Sequence, residues 1–340
     1  MADSKEGTSR RDFLKRCTGT VFAAAFAPAA AADATSAAAA RGPALEKSKV
    51  VIARDAMLRG QGSTVDERRM LALLDRAMQS FFDVDQPVEA WRRLLRPGER
   101  VGLKVNTIAG RRLSTNVTVV EAICERLQSA GVKAQNIVIW DRENSELERA
   151  GFRQSSYPNR VLSLGTNAVG FEEVPEAFGA VRSRLSKILT RSCDVLINVP
   201  VLKSHWMCGV TAALKNMYGA IDNPYRYHGN GCSPYIADLN MLPAIRSRLR
   251  FNICDATTAS YVGGAGYDPN STWNHNAIVV ARDPVALDYT AWRIIERKRA
   301  EMGLGTIESD GKPPRFLSVA ADAAHRLGTN DPNRITTVEV

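Results

Sequence analysis

Residues 100–141 contain Arg100-Val-Gly-Leu-Lys-Val105, a segment from Asn116 to Ala130 with apolar residues at helical spacing, Gly131, and then Asn136-Ile-Val-Ile-Trp140-Asp141. The two outer runs are short and β-branched, which predicts buried strands. The middle segment starts on an N-cap asparagine and ends on a glycine, which predicts a helix. The alternation extends in both directions. Val50-Val-Ile-Ala53 predicts a strand and Asp66–Phe82 a helix, with Met70, Leu73, Leu74, Ala77, Met78 and Phe81 on one face. Cys193–Val199 predicts a buried strand that stops at Pro200, and Val210–Tyr218 a helix stopped by Gly219. Ile236–Leu249 reads as a helix interrupted at Pro243. Arg250–Cys254 and Ala277–Ala281 read as strands, and Asp283–Met302 as a long helix with Asp283 as N-cap and Pro284 at its first position. This order predicts an α/β fold: a mostly parallel sheet, helices on both faces and a ligand cleft at the carboxyl ends of the strands.

The chain has 340 residues, 45% of them hydrophobic and 24% charged, which suits a globular protein with a sizeable core. Six cysteines are too few for a small disulfide scaffold. The formal charge of +9 is spread along the chain, and its local clusters lie on helix-like segments rich in Leu and Ile, so nucleic acid is not an expected partner.

Residues 1–32 read as an export address. Ser9-Arg-Arg-Asp-Phe-Leu-Lys15 followed by the apolar stretch Val21–Ala32 is the pattern of a twin-arginine signal. The stretch is interrupted by Pro28 and is too short to span a bilayer, so no stable membrane anchor is expected after cleavage. Residues 33–48 read as an Ala-rich linker, and 49–340 as the α/β domain. The expected location is periplasmic or otherwise exported, with the twin-arginine machinery as a partner.

Chemistry-bearing residues collect after the strand ends. Lys104 and Asn106 flank Val105; Lys203 and His205 follow Pro200; Lys215 and Asn216 precede Gly219; Asp255 follows Cys254. A buried lysine is costly unless it meets an anion. Lys104, Lys203 and Lys215 therefore read either as holders of a carboxylate or phosphate, with a desolvated amine acting as base or nucleophile, or as members of an ion network with Asp255, Asp283 or Asp288. His205 and His228 are each followed closely by a cysteine, Cys208 and Cys232. Those four could surround a divalent metal, the two cysteines could instead form a disulfide, or neither holds. Asn106, Asn216 and Asp255 are candidate substrate contacts, and equally turn or cap residues.

These residues carry a resemblance. Gly102-Leu-Lys104-Val-Asn106, Asp194-Val-Leu-Ile-Asn198-Val-Pro-Val-Leu-Lys203-Ser-His205, Gly209-Val-Thr211-Ala-Ala-Leu-Lys215-Asn216-Met-Tyr-Gly219, Asp255 and Asp283-Pro-Val-Ala-Leu-Asp288 resemble the family catalogued as domain of unknown function 362, over about residues 50–300. The export signal and the Asn223-Pro…His228…Cys232-Ser-Pro234 stretch resemble an exported branch of it. The resemblance implies an α/β fold and supplies no reaction. Some relatives carry a ferredoxin-type iron–sulfur module, which needs closely spaced cysteines. This chain has no such run, so no iron–sulfur cluster of its own is expected.

Two functions are consistent with these residues. The first is an exported enzyme or cofactor-dependent protein acting on a small anionic molecule through Lys104, Lys203, His205 and Lys215. The second is a non-catalytic periplasmic binding or accessory protein for a redox or metal pathway.

Overall fold

The computed structural model describes residues 47–340 other than 158 and 265. The export signal expected at 1–32, and all but the last two residues of the linker expected at 33–48, lie outside the described residues. Among the described residues there are thirteen strands: β1 (Ser48–Arg54), β2 (Val101–Val105), β3 (Ile137–Asp141), β4 (Leu162–Gly165), β5 (Glu176–Phe178), β6 (Val181–Ser183), β7 (Val195–Val199), β8 (Val201–His205), β9 (Gly209–Thr211), β10 (Leu249–Ser260), β11 (Thr272–Trp273), β12 (Ala277–Ala281) and β13 (Ile335–Glu339). Eleven of them form one sheet whose main path runs β13-β1-β12-β10-β7-β2-β3-β4, and β5 and β6 form a separate hairpin.

The run β10-β7-β2-β3-β4 is parallel throughout, and β12 alone on the main path runs against both its neighbours. This is the expected α/β architecture, as a largely parallel mixed sheet. Its strands are apolar on both faces because both faces are covered. Val51, Leu103, Val105, Ile197 and Ile253 pack into one core layer with the helices Glu67–Phe82 and Val117–Ser129. Leu196, Cys254 and Val279 pack into the other with the helix Pro284–Glu301. Among the described residues, no helix is long and apolar enough to cross a membrane.

The helix expected from Asp66 forms as Glu67–Phe82, its cap made by the Asp66 carboxylate accepting from Arg69 N. Asp283 caps the long helix as expected, accepting from Val285 N and Ala286 N. Its other oxygen accepts from Ser48 Oγ and Thr329 N, which ties both ends of the described chain to this point.

The strand expected before Pro200 ends there as β7; beyond the proline the chain resumes as β8, which leaves the register of β7 and pairs with the far half of β10. One expectation is corrected. The helix expected over Val210–Tyr218 is shorter. Gly209–Thr211 pairs with β8, Ala213–Asn216 forms one helical turn, and Met217–Ala220 tightens into a 3-10 turn.

Candidate functional site

Three adjacent parallel strands, β7, β2 and β3, end together, and each carries a polar residue at or next to its end: Asn198, Lys104 and Asp141. Lys104, one residue from the end of β2, pairs in register with Trp140 on β3 and Asn198 on β7. Its side chain turns to the core face opposite to that of Leu103 and Val105. Lys104 Nζ lies 2.7 Å from Asp141 Oδ1 and donates to the Val105 carbonyl at 2.7 Å. The other Asp141 oxygen accepts from the backbone N–H and the hydroxyl of Thr107. Lys104 therefore sits in a buried and satisfied ion pair. The acid is Asp141, not Asp255, Asp283 or Asp288.

The segment Ala213–Ala220 covers these strand ends. Asn216 donates to the Lys104 carbonyl (3.1 Å) and to Asn198 Oδ1 (2.8 Å), and accepts from Asn106 Nδ2 (3.1 Å). Asn198 in turn donates to the Ala213 carbonyl and to Asn252. The segment is anchored from the far side by Asp288, whose carboxylate accepts from the N–H groups of Ala213 and Leu214. Ala212 has no side chain that could cap this turn, and Asp288 supplies the acceptor from the long helix. Burial pushes the Asp288 carboxyl up to about 7 against those two bonds.

Lys203 and Lys215 are bonded differently. Lys203 is 1% exposed and donates to Asn106 Oδ1 at 2.6 Å. Lys215 is half-buried; its Nζ lies 3.3 Å from His228 Nε2 and 4.6 Å from the centre of the Tyr218 ring. Among the described residues, neither forms an ion pair with a carboxylate. Burial, and then the neighbouring charges of Lys215 and Lys104, pull the Lys203 ammonium down to about 7. His205 is buried, and burial together with Lys215, His228 and Lys203 pulls it down to about 3. His228 is lowered by burial and by Lys215, against its bond to the Pro224 carbonyl. The result is two lysines with no carboxylate in contact, Lys203 feeling Asp141 only at longer range, beside two imidazoles held neutral.

The structure thus brings together Lys104, Asn106, Lys203, His205, Lys215, Asn216 and His228. It does not bring Asp255 to them. Asp255 lies on the strand face opposite to that of Cys254. It accepts from the N–H of Asn116 and of Thr257, and burial raises its carboxyl despite those bonds and the charge of Arg59. In this structure it fixes the start of the helix Val117–Ser129 against β10 and stands apart from the lysine–histidine cluster.

The metal set is corrected as well. Among the described residues, no three His, Cys, Asp or Glu side chains are grouped so as to hold a metal ion. His205 Nδ1 accepts from Met207 N, and both nitrogens of His228 are engaged by Pro224 and Lys215. Cys208 and Cys232 are fully buried free thiols; Cys208 donates to the Val210 carbonyl at 3.4 Å and Cys232 to the His228 carbonyl at 3.9 Å. The neighbouring Cys208 and Lys215 draw the Cys232 thiol down, while burial pushes Cys208 up. His205, His228, Cys208 and Cys232 therefore do not make a tetrahedral donor set.

The expected cleft is not an open one, because Ala213–Ala220 lies over the strand ends. The cluster reaches solvent at the Lys215–His228 edge, where Trp206 and Tyr225 are exposed. A surface hollow lined by Thr64 to Arg68 shares no residue with it.

These motifs match the family model described as domain of unknown function 362, over residues 101–293. The chain belongs to this family. The match takes in β2 through most of the long helix, and with them every member of the cluster. A thylakoid-associated protein of Synechocystis sp. is 29% identical over 143 residues, which are 40% of this chain and 43% of that protein. The match therefore spans less than half the length of this curated relative.

What sequence reasoning missed is how the cluster is held in place. Asp141 reads as a strand end and Asp288 as one of three acids that could join a lysine ion network, and only the pairing of distant segments shows Asp141 bonded to Lys104 and Asp288 capping the Lys215 turn. Gly219 read as a helix stop. Its actual function is space: a Cβ there would come within 2.6 Å of Asp141 Oδ1 and 2.7 Å of Lys104 Nζ.

Proposed function

We propose that the protein is an enzyme acting on a small carboxylate or similar anion. The anion is taken between Lys215, His228 and His205, and Lys203 Nζ serves as the group that gives or takes a proton. The observation that carries this reading is the contrast between lysines. Lys104 has Asp141, whereas Lys203 and Lys215 have amide, imidazole and ring partners and no acid. Two such cations side by side are costly to fold, and an anionic ligand offsets the cost. A lysine near pKa 7 is divided between amine and ammonium at neutral pH, the condition under which an amine works as a general base or nucleophile.

The reading is tested by calorimetric titration of the mature protein with acetate and with phosphate. Binding of one of them, weakened at least tenfold in Lys215→Met and in Lys203→Met, supports it. Binding that survives both substitutions overturns it. A bound ligand recovered chemically intact after long incubation favours the non-catalytic binding protein instead.

Export by the twin-arginine route belongs to the same proposal, supported by Arg10-Arg11 and the apolar stretch Val21–Ala32. Fractionation of cells expressing the full chain and its Arg10→Lys, Arg11→Lys variant tests it. Export that is indifferent to the pair removes that reading.

A further inference from the structure

Cysteine chemistry is left unused by the lysine–histidine cluster, although two thiols lie beside it. Among the described residues, Cys124, Cys193 and Cys254 sit in a helix, just before β7 and within β10, where burial pushes their thiols up. Cys208 and Cys232 are different, because each belongs to a short turn and the two turns lie side by side. Cys208 is in the turn between β8 and β9, and Cys232 closes the turn Asn230–Cys232. A Cβ on Gly231 would come within 3.3 Å of the Met207 carbonyl oxygen, and the His205 and His228 rings stand 6.2 Å apart. Each cysteine is the next residue after a member of the first of these contacts.

The backbone of Cys232 is unusual. Its φ of 61° is left-handed and follows values of 51° at Asn230 and 61° at Gly231. Asparagine and glycine adopt this region readily, whereas other residues rarely do. Strain of this kind persists where the surrounding structure enforces it. Here it accompanies a fully buried Cys232 thiol in a turn whose Gly229 and Asn230 are exposed. Both thiols have acceptors, the Val210 carbonyl for Cys208 and the His228 carbonyl for Cys232, so the reduced form is complete without a cross-link.

We propose that Cys208 and Cys232 are a reversible dithiol–disulfide couple that fastens the loop carrying His228 to the turn after β8. The oxidant is an external disulfide. The Cys232 thiolate attacks one of its sulfurs, forming a mixed disulfide and releasing one thiolate. The Cys208 thiol then gives up its proton and attacks the Cys232 sulfur, releasing the second. The two released thiolates take up the protons that the cysteines lost, so one external disulfide is reduced to two thiols while the two protein thiols are oxidised to one S–S bond. Cys232 attacks first because its turn lies at the surface. The neighbouring Cys208 and Lys215 also draw its thiol down, whereas burial pushes Cys208 up. The couple requires only the two thiols and their adjacent turns, and it stands or falls separately from the anion site.

The test equilibrates the mature protein in glutathione buffers running from fully reduced to fully oxidised. Free thiols are then alkylated in denaturant after an acid quench, and the protein is digested without reduction for mass spectrometry. The expected product is a peptide pair joined through Cys208 and Cys232, absent in reduced glutathione and dominant in oxidised glutathione, with Cys124, Cys193 and Cys254 alkylated throughout. Return to reduced glutathione should reopen it. Amide hydrogen exchange over residues 225–231 should slow by about threefold or more when the bond is closed. Cys208→Ser should retain glutathione on Cys232, whereas Cys232→Ser should retain none on Cys208. The wild-type measurements decide the matter if a serine variant does not fold. No link at any glutathione ratio, or a link formed only in denaturant, overturns the proposal. A link that glutathione cannot reopen makes the bond a fixed cross-link and overturns the couple, and unchanged exchange in the linked form overturns the fastening of the loop.

Discussion

Gly219 lies against the Lys104–Asp141 ion pair, close enough that a methyl group in place of its hydrogen would overlap both charged atoms. The 3-10 turn that contains it therefore presses its backbone onto a buried salt bridge, and this contact sets the height of Lys215 and Asn216 above the strand ends. A buried pair is weak evidence of stability while intact, but separating it leaves uncompensated charge in the core.

Gly219→Ala is accordingly expected to lower stability by about 3 kcal/mol, through overpacking and partial separation of the pair. The denaturant midpoint checks this. Lys215→Met, at a half-buried lysine with no acid to abandon, should change the midpoint far less. If the two variants behave alike, the pair is not held as described.

Lys203→Met should stabilise the protein at neutral pH. The folded-state ammonium is drawn down to about 7 from the 10.5 expected in the unfolded chain. Between those values the unfolded state binds the extra proton, so wild-type stability rises with pH across that window. Below about pH 7 the penalty is fully present. The variant should melt higher than wild type by about 2–4 °C at pH 7, a gap that closes toward pH 10.5. A variant that melts lower at pH 7 would mean that Lys203 is bound to a partner rather than stranded.

The limits of the sequence reading follow from the same geometry. Lys104, Lys203 and Lys215 stood out because a charged residue inside or just after a β-branched run has to be explained. The cluster they belong to was legible to that extent, but their partners were not. Lys104 finds Asp141 through the register of β2 on β3, which hydropathy does not encode because both strands are apolar on both faces. The same property hid the facing of Asp255. In a strand buried on both sides, nothing local says which face a polar residue takes, and Asp255 takes the one opposite to the lysines. Pro200 ends β7 as expected, but nothing local says that the chain then resumes pairing with a new neighbour, as β8 does on β10. The histidine–cysteine spacing suggested a metal site, but spacing does not reveal that Lys215 occupies the ring nitrogen a metal would need.

A second titration is expected at the carboxyl-terminal end of the domain. His325 is pinned between two carboxylates, Nδ1 at 2.8 Å from Asp322 and Nε2 at 2.8 Å from Asp238. Burial works against charging the ring, but the two acid hydrogen bonds outweigh it and raise the imidazole. A raised folded-state value places the stabilisation below the unfolded value of 6.5, to be lost as pH climbs through the folded one. His325→Gln should therefore cost about 2 kcal/mol at pH 5 and less at pH 8, measured by chemical denaturation at both. A larger cost at pH 8 would show that the ring acts as a neutral donor only.

Asp288 gives the strictest check on how the site is built, because it lies in the long helix and is not among the lysine–histidine residues. Its carboxylate accepts the N–H groups of Ala213 and Leu214, at 2.5 and 3.1 Å, and these begin the turn that carries Lys215 and Asn216. Asp288→Ala leaves two buried donors unpaired, for a loss of about 3 kcal/mol in denaturant titration. Because the turn is anchored there, the variant should also weaken acetate or phosphate binding while Lys215 itself is unchanged. Asp288→Asn keeps one acceptor and sets an amide N–H against a backbone N–H, so it should fall between wild type and alanine on both measurements. If stability drops and affinity does not, Asp288 braces the core and the placement of Lys215 is independent of it.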